Sequence, residues 1–437
     1  MRDRFYNLAD DLFAALRGGE VALLGFDGEA SDFVRFSGSR VRQAGSVEQQ
    51  TVGVRLIQGQ RQACSQLTLT GRAEDRRALR REVEALRAML PLLPEDPHLL
   101  YATDVRSTED VRRGRLPSPD GAMAALEAVG LGRDMVGLYA SGRLWRGFAN
   151  SLGQRNWFAR DSFHLDWSFY HHGDKAARNS YAGFTWSRRE LARKAEETAG
   201  ALARLRQEPR TIPPGQYRVY LAPAALAMIL GLLGWGGFGL KSQRTKQSPL
   251  LKLVEGEAAL SPLVTLRENT ADGLAPAFSG EGYLKPAEVT LVRDGRHAQA
   301  LVSPRSAKEY GVPTTGGGEG PESVELAAGA IPPQDVLRRL DRGVYVNTLW
   351  YLNYSDRMAG RITGMTRFAT FWVEGGRLVA PLNVMRFDET VYRMLGAQLI
   401  GLTSAPEFLP DGHTYFQRST SSIRTPGALI DDFTFTL

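Results

Sequence analysis

A chain of 437 residues is too long for one ordinary hydrophobic core and fits two domains. Hydrophobic residues make up 43% and charged residues 23%, which excludes disordered and fibrous classes. The net charge of +6 comes mostly from arginines interleaved with acids, as in Glu74-Asp75-Arg76-Arg77, a spread that predicts solvated helix faces and no nucleic-acid surface.

Phe5, Leu8, Leu12, Phe13 and Leu16 recur at helical spacing and predict an amphipathic helix over 1–17. The mixed charge of Met1-Arg2-Asp3-Arg4-Phe5 does not read as a signal peptide. Strands are predicted over 21–26, 32–37, 41–47 and 50–57, with a turn between the last two, and Gln58-Gly59-Gln60 then turns into a strand over 61–68. The lone cysteine, Cys64, falls on that strand. One cysteine excludes an internal disulfide and a multi-cysteine metal site, and the expectation is a buried, inert thiol in a reducing cytoplasm.

A charged helix over 71–90 should turn Leu79, Val83, Leu86 and Leu90 inward, and Ser118-Pro119 opens another helix through Val129. Alternating strands over 134–140 and 143–149 lead to Asn150-Ser151-Leu152-Gly153, and 162–170 reads as a further strand. Ser187 with Glu190 makes a capping box for a helix to Leu205. The segment Arg210-Thr211-Ile212-Pro213-Pro214-Gly215 is the best linker in the chain, so the expected domains are 1–209 and 210–437.

The stretch 219–240 carries no charge and is long enough to cross a bilayer. Pro223 breaks it near its start and Gly231, Gly234, Gly236, Gly237 and Gly239 crowd its end. A strand over 217–221 followed by a buried helix over 224–233 accounts for it better than a membrane span does. Beyond it come short strands and Gly/Pro turns, with a helix over 332–340, a strand over 343–352 and a closing strand over 429–437. Gly316-Gly317-Gly318-Glu319-Gly320 reads as a flexible loop or exposed tip. The predicted class is α+β: an N-terminal α/β domain with an antiparallel sheet and long helices, then a β-rich domain.

Gly234-Trp235-Gly236-Gly237-Phe238-Gly239 has the spacing of a dinucleotide-binding fingerprint, but that fingerprint needs its glycines between a strand and a helix start. Here they follow a helix, and Trp235 and Phe238 point to a packed turn, so no cofactor is expected. His164-Leu165-Asp166 and His171-His172-Gly173-Asp174 leave two readings. One is an exposed polar face followed by a polar turn. The other is a metal set of His164, Asp166 and His171, if a tight turn folds His171 back. No Gly-x-Ser-x-Gly, Ser-x-x-Lys or His-Glu-x-x-His is present, and His98, His297 and His413 are isolated. Residue chemistry alone names no catalytic residue.

Phe33-Val34-Arg35-Phe36, Arg40-Val41-Arg42-Gln43 and Gly53-Val54-Arg55-Leu56-Ile57 resemble the N-terminal hairpins of the TldD/TldE (PmbA) peptidase family. Asn150-Ser151-Leu152-Gly153 is similar to that family's Asn-Ser-x-Gly turn, and Pro214-Gly215 with Leu221-Ala222-Pro223 to its entry into the second domain. Gly343-Val344-Tyr345-Val346, Phe371-Trp372-Val373-Glu374-Gly375-Gly376 and Thr425-Pro426-Gly427-Ala428-Leu429-Ile430-Asp431-Asp432-Phe433 resemble its C-terminal signature. The resemblance spans almost the whole chain. It implies a barrel-like second domain and paired cytoplasmic subunits enclosing a cavity where unfolded peptides are degraded or matured. In the active subunit a helix carrying His-Glu-x-x-x-His and a later cysteine hold zinc. Here the corresponding segment, Met228-Ile229-Leu230-Gly231-Leu232-Leu233-Gly234-Trp235-Gly236, has neither histidine nor glutamate, and no cysteine follows. The expectation is therefore a metal-free TldE-like subunit working with a TldD-like metallopeptidase, without catalytic, cofactor or metal residues of its own. An independent peptide-binding protein on the same fold is the alternative. Self-association stays open.

Overall fold

The first sheet is built from a few very long strands. In the computed structural model, which describes residues 1–173 and 175–437, helix α1 (Arg2–Phe13) precedes β1 (Glu20–Ser37), β2 (Arg40–Gln58) and β3 (Arg61–Thr68). Helix α2 (Glu74–Met89), β4 (Thr108–Arg112), α3 (Pro119–Gly130), β5 (Asp134–Asn150), β6 (Arg155–His172), β7 (Lys175–Gly183) and α4 (Arg188–Leu205) follow. The strand order is β3-β2-β1-β5-β6-β4, with β7 also on β6.

The four segments predicted over 21–57 are two strands, and the two over 134–149 are one. The polar run at Glu48-Gln49 marks no turn. It lies inside β2, whose residues 40–48 are exposed throughout because β3 pairs with β2 only from Thr51 onward. The hairpin turns instead at Gly38 and Ser39, both at positive φ.

Alternation sorts the long strands into two faces. One face carries Leu24, Phe26, Val54 and Trp157 under α1 and α2, and Val34, Tyr139, Leu165 and Trp167 under α3 and α4. Leu79, Val83 and Leu86 of α2 are buried there as their spacing requires. The other face carries Leu23, Phe148 and Phe158 against Phe278, and then a polar band of Glu29, Ser31, Ser162 and His164. Period-two alternation also corrects the expectation for Cys64: Ala63 turns into the core, so Cys64, on the sheet's edge strand, is exposed. Of the capping box, half forms. Ser187 Oγ accepts the Glu190 N–H at 3.3 Å, while the Ser187 N–H donates to Tyr181 Oη and the Glu190 carboxylate pairs with Arg193.

The second half begins with β8 (Gly215–Leu221) and α5 (Pro223–Gly234). Short strands β9 (Leu266–Asn269), β10 (Glu288–Arg293), β11 (Arg296–His297) and β12 (Ser323–Leu326) follow. Then come β13 (Gly343–Asp356), β14 (Arg361–Glu374), β15 (Arg377–Pro381) and β16 (Arg386–Thr390). The last are β17 (Leu399–Leu402), β18 (Glu407–Pro410), β19 (Ser422–Thr425) and β20 (Ala428–Phe435). Strands β13, β8, β20, β16 and β14 run in that order, and β14 pairs back onto β13, closing a ring. A second sheet has the order β11-β10-β9-β12-β19-β18. This is the α+β architecture expected, with a barrel-like second half.

Helix α5 sits against the ring through Ala225, Leu226, Ile229, Leu230 and Leu233, all fully buried with Val219, Phe387 and Phe433. Among the described residues no helix is long and apolar enough to cross a membrane. The glycines after α5 serve its ending. Gly236 lies at φ 78°, and a Cβ on Gly237 would stand 2.3 Å from the Leu233 carbonyl. Phe238 is buried, whereas Trp235 is exposed beneath the Arg357 guanidinium. The loop at Gly316–Gly320 is not an exposed tip: Gly316 is buried against the Leu284 backbone, and Glu319 accepts the Lys241 N–H at 3.0 Å.

Candidate functional site

Between the polar band of the first sheet and α5 lies a cleft of about 1690 Å³. Its walls are β6 and β7, one face of α4, one face of α5, and the segment from Thr403 to His413. Amphipathic spacing decides what each helix presents. Along α4, Leu191, Ala195, Thr198 and Leu202 are buried, which leaves Glu190, Arg193, Lys194, Glu197 and Arg204 to line the cleft. These charges largely neutralise one another. Arg193 pairs with Glu190 and Glu197, and Lys194 reaches Glu407 of β18 at 3.2 Å.

The cleft-facing residues of α5 include Ala224, Ala227, Met228 and Gly231, spaced at i, i+3, i+4 and i+7, and the others, Pro223, Leu230, Leu232 and Gly234, are apolar as well. None has an atom that could ligate a metal or move a proton at neutral pH, apart from the weakly coordinating Met228 sulfur. The zinc set of the resembling active subunits therefore does not fit this helix. Among the described residues, no group of three His, Cys, Asp or Glu side chains is arranged to hold a metal ion.

His164 and Asp166 do share the cleft face of β6, and both line the cleft. His171 does not join them. It is exposed at the far end of the same strand, five residues beyond Asp166, which is about 17 Å at the rise of an extended chain. Strand β7 folds back there with Lys175 opposite His172, so the turn returns the chain along β6 without bringing His171 back to His164. Asp174 lies outside the described residues. Of the remaining histidines, His413 is exposed at the cleft, while His297 is partly buried elsewhere and its burial lowers its pKa.

His164 is 4% exposed and its Nε2 has no hydrogen-bond partner. Burial, helped by the nearby Arg418 guanidinium and opposed by Asp411, pushes its pKa down to about 4, so the ring is neutral at physiological pH. Asp166 is held above the usual carboxylate range by burial, against the pull of Arg178 at 3.7 Å.

Arg418, which sequence reasoning passed over, organises this corner. It belongs to a strap, residues 411–421, that joins β18 to β19 and lies across the first sheet. Its backbone N–H donates to Glu29 Oε2 at 3.0 Å. Its guanidinium donates to Ser31 Oγ, the Gly142 carbonyl and both oxygens of Ser162, the last at 2.8 and 3.1 Å. Burial lowers its pKa to about 10, against the opposing field of the fully buried Glu29. The signal was in the sequence. Glu29 and Ser31 on β1, like Ser162, His164 and Asp166 on β6, put polar side chains on alternate positions of otherwise apolar strands.

Three solved structures share the fold. A Thermotoga maritima protein named as a candidate modulator of a DNA gyrase is 16% identical, with 99% of this chain and 100% of that chain covered at a TM-score of 0.77. TldE from Thermococcus kodakarensis is 15% identical, covering 100% and 99% at a TM-score of 0.78. A candidate modulator of DNA gyrase from Bacteroides thetaiotaomicron is 16% identical, covering 99% of each chain at 0.77. No curated protein sequence matches the chain significantly. The family model for the PmbA/TldA metallopeptidase C-terminal domain matches residues 214–437, just over half of the chain. The chain is thus a member of the PmbA/TldD family.

Proposed function

We propose that this chain is a metal-free, TldE/PmbA-like subunit of a TldD/TldE-type metallopeptidase complex in the cytoplasm. In this reading it completes a chamber and holds unfolded peptide, while a TldD-like partner bearing His-Glu-x-x-x-His supplies the metal chemistry that degrades or matures it. The observation that carries the reading is the wall of the cleft. Helix α5 meets it with Ala224, Ala227, Met228 and Gly231, yet the cleft of about 1690 Å³ exceeds the range of roughly 300–1,000 Å³ usual for small-molecule pockets. A space that large, with neutralised charge on α4 and apolar groups on α5, suits an extended chain held with little sequence demand. The proposed division of labour places the domain boundary at 209/210, with the cleft formed by both parts.

The test is co-expression with the nearest relative from the same genome that carries His-Glu-x-x-x-His. Co-purification at fixed stoichiometry, with peptidase activity above that of the partner alone, is the expected outcome. Two well-folded chains that elute separately, with full activity in the partner by itself, would favour an independent peptide-binding protein instead. The purified chain should also carry no stoichiometric zinc and cleave no peptide by itself. About one zinc per chain by elemental analysis would refute the metal-free assignment.

A further inference from the structure

The strap 411–421 runs antiparallel to β6 across its polar face. Gly412 sits over Asp166, where an added Cβ would stand 3.0 Å from Oδ2, and Arg418 sits over Ser162. His164 lies between these two points and lines the cleft, with its Nε2 buried and unpartnered. Two carboxylates belong to the same corner. Among the described residues, the ion-pair partner of Asp166 is Arg178, at 3.7 Å. Asp411 accepts the backbone N–H of His413 at 3.1 Å and, among the described residues, has no ion pair. Elsewhere in the cleft the acids of α4 and β18 are matched by cations at hydrogen-bond distance, and Arg193 and Lys194 are the examples. This corner differs: of the groups that line the cleft here, two carboxylates, Asp166 and Asp411, face one cation, Arg178, while the Arg418 guanidinium behind them is buried and bound to Ser31, Gly142 and Ser162.

We propose that this corner is a subsite for a primary ammonium group, the free amino terminus of an extended peptide, with His164 Nε2 as one acceptor and Asp166 and Asp411 as the counter-charges. An ammonium carries three donors and no acceptor, which matches one imidazole nitrogen and two carboxylates. A peptide carboxylate would meet charge of its own sign and offer no donor to an accepting imidazole nitrogen. The proposal rests on the peptide-binding reading above and adds to it a polarity: the chain would enter the cleft with its amino end at the strap.

The experiment measures binding of fluorescent hexapeptides, labelled at the carboxyl end, to the full chain. One has a free amino terminus, the second is N-acetylated, and the third is N-acetylated with a single internal lysine. The free peptide should bind about tenfold or more tightly than the acetylated one, as expected for a charge-assisted hydrogen bond in a partly dry site. Asp411→Asn, on the partly exposed strap, and His164→Gln should each narrow that ratio. The lysine peptide should stay weak; recovery of affinity by it would show that any ammonium fills the site and would overturn the assignment to the amino terminus and the polarity. Equal binding of free and acetylated peptides would overturn the subsite and leave peptide binding standing. Binding of neither would overturn both. An unchanged ratio in both variants would overturn the assignment to these residues.

Discussion

A buried imidazole that stays neutral makes stability depend on pH in a definite direction. The unfolded chain takes up a proton at His164 near pH 6.5, whereas the folded chain refuses it until about pH 4. The stability that His164 supports is therefore complete above pH 6.5 and is lost as pH falls through the folded pKa near 4. The size of that loss is at most about 3 kcal/mol. Denaturant melts between pH 7 and pH 4 should show a steeper decline for the natural protein than for His164→Gln, and parallel declines would remove His164 from the account. Cys64 offers a simpler check at the same scale. Because it is exposed on β3, a thiol reagent should titrate about one group per chain without denaturant. Labelling only after unfolding would restore the buried thiol first expected from composition.

The strap is the element on which the corner depends. Arg418→Ala leaves the Ser162 and Gly142 carbonyls and the Ser31 hydroxyl without their charged donor, and removes a cation facing Glu29. The expected cost is about 3 kcal/mol, with faster proteolysis inside 411–421 as the local signature. Unchanged melting and cleavage rates would mean that the strap is held by other contacts. At this scale the sequence was readable wherever periodicity and caps agree. Leu79, Val83 and Leu86 marked the inner face of α2, Ser118 and Ser187 opened their helices, and Pro223 started α5. It was less readable along β1, β2 and β5, because a strand that crosses from one helix pair to the next changes its burial pattern without changing direction. Glycines and polar residues at such crossings look like turns. The cleft itself was hidden for a different reason. Its walls come from residues near 30, 164, 190, 227 and 418, and only the closing of two sheets against each other brings them together.

At the scale of the whole molecule the two halves are joined by polar contacts buried within the fold as well as by apolar packing. Glu29 and Arg418 are 0% and 3% exposed. Removing one partner from such a set is costly, and the requirement for satisfied geometry favours one relative placement of strap and sheet. In the proposed complex, that fixity would let this chain present one set wall to its partner. One further consequence follows from the bare stretch of β2. Residues 40–48 present an unpaired strand edge with neither face covered, and such edges recruit strands from other molecules. The cations Arg40 and Arg42, with Glu48 at the other end, make this margin poorly suited to unguarded stacking. Replacing both arginines with valine would leave Val41 and Val47 in a neutral, β-prone run, and the monomer's solubility limit should fall accordingly, visible as concentration-dependent scattering well below the melting temperature. In that light the charge on this hairpin acts as a colloidal safeguard: it lets a long sheet end in water without polymerising.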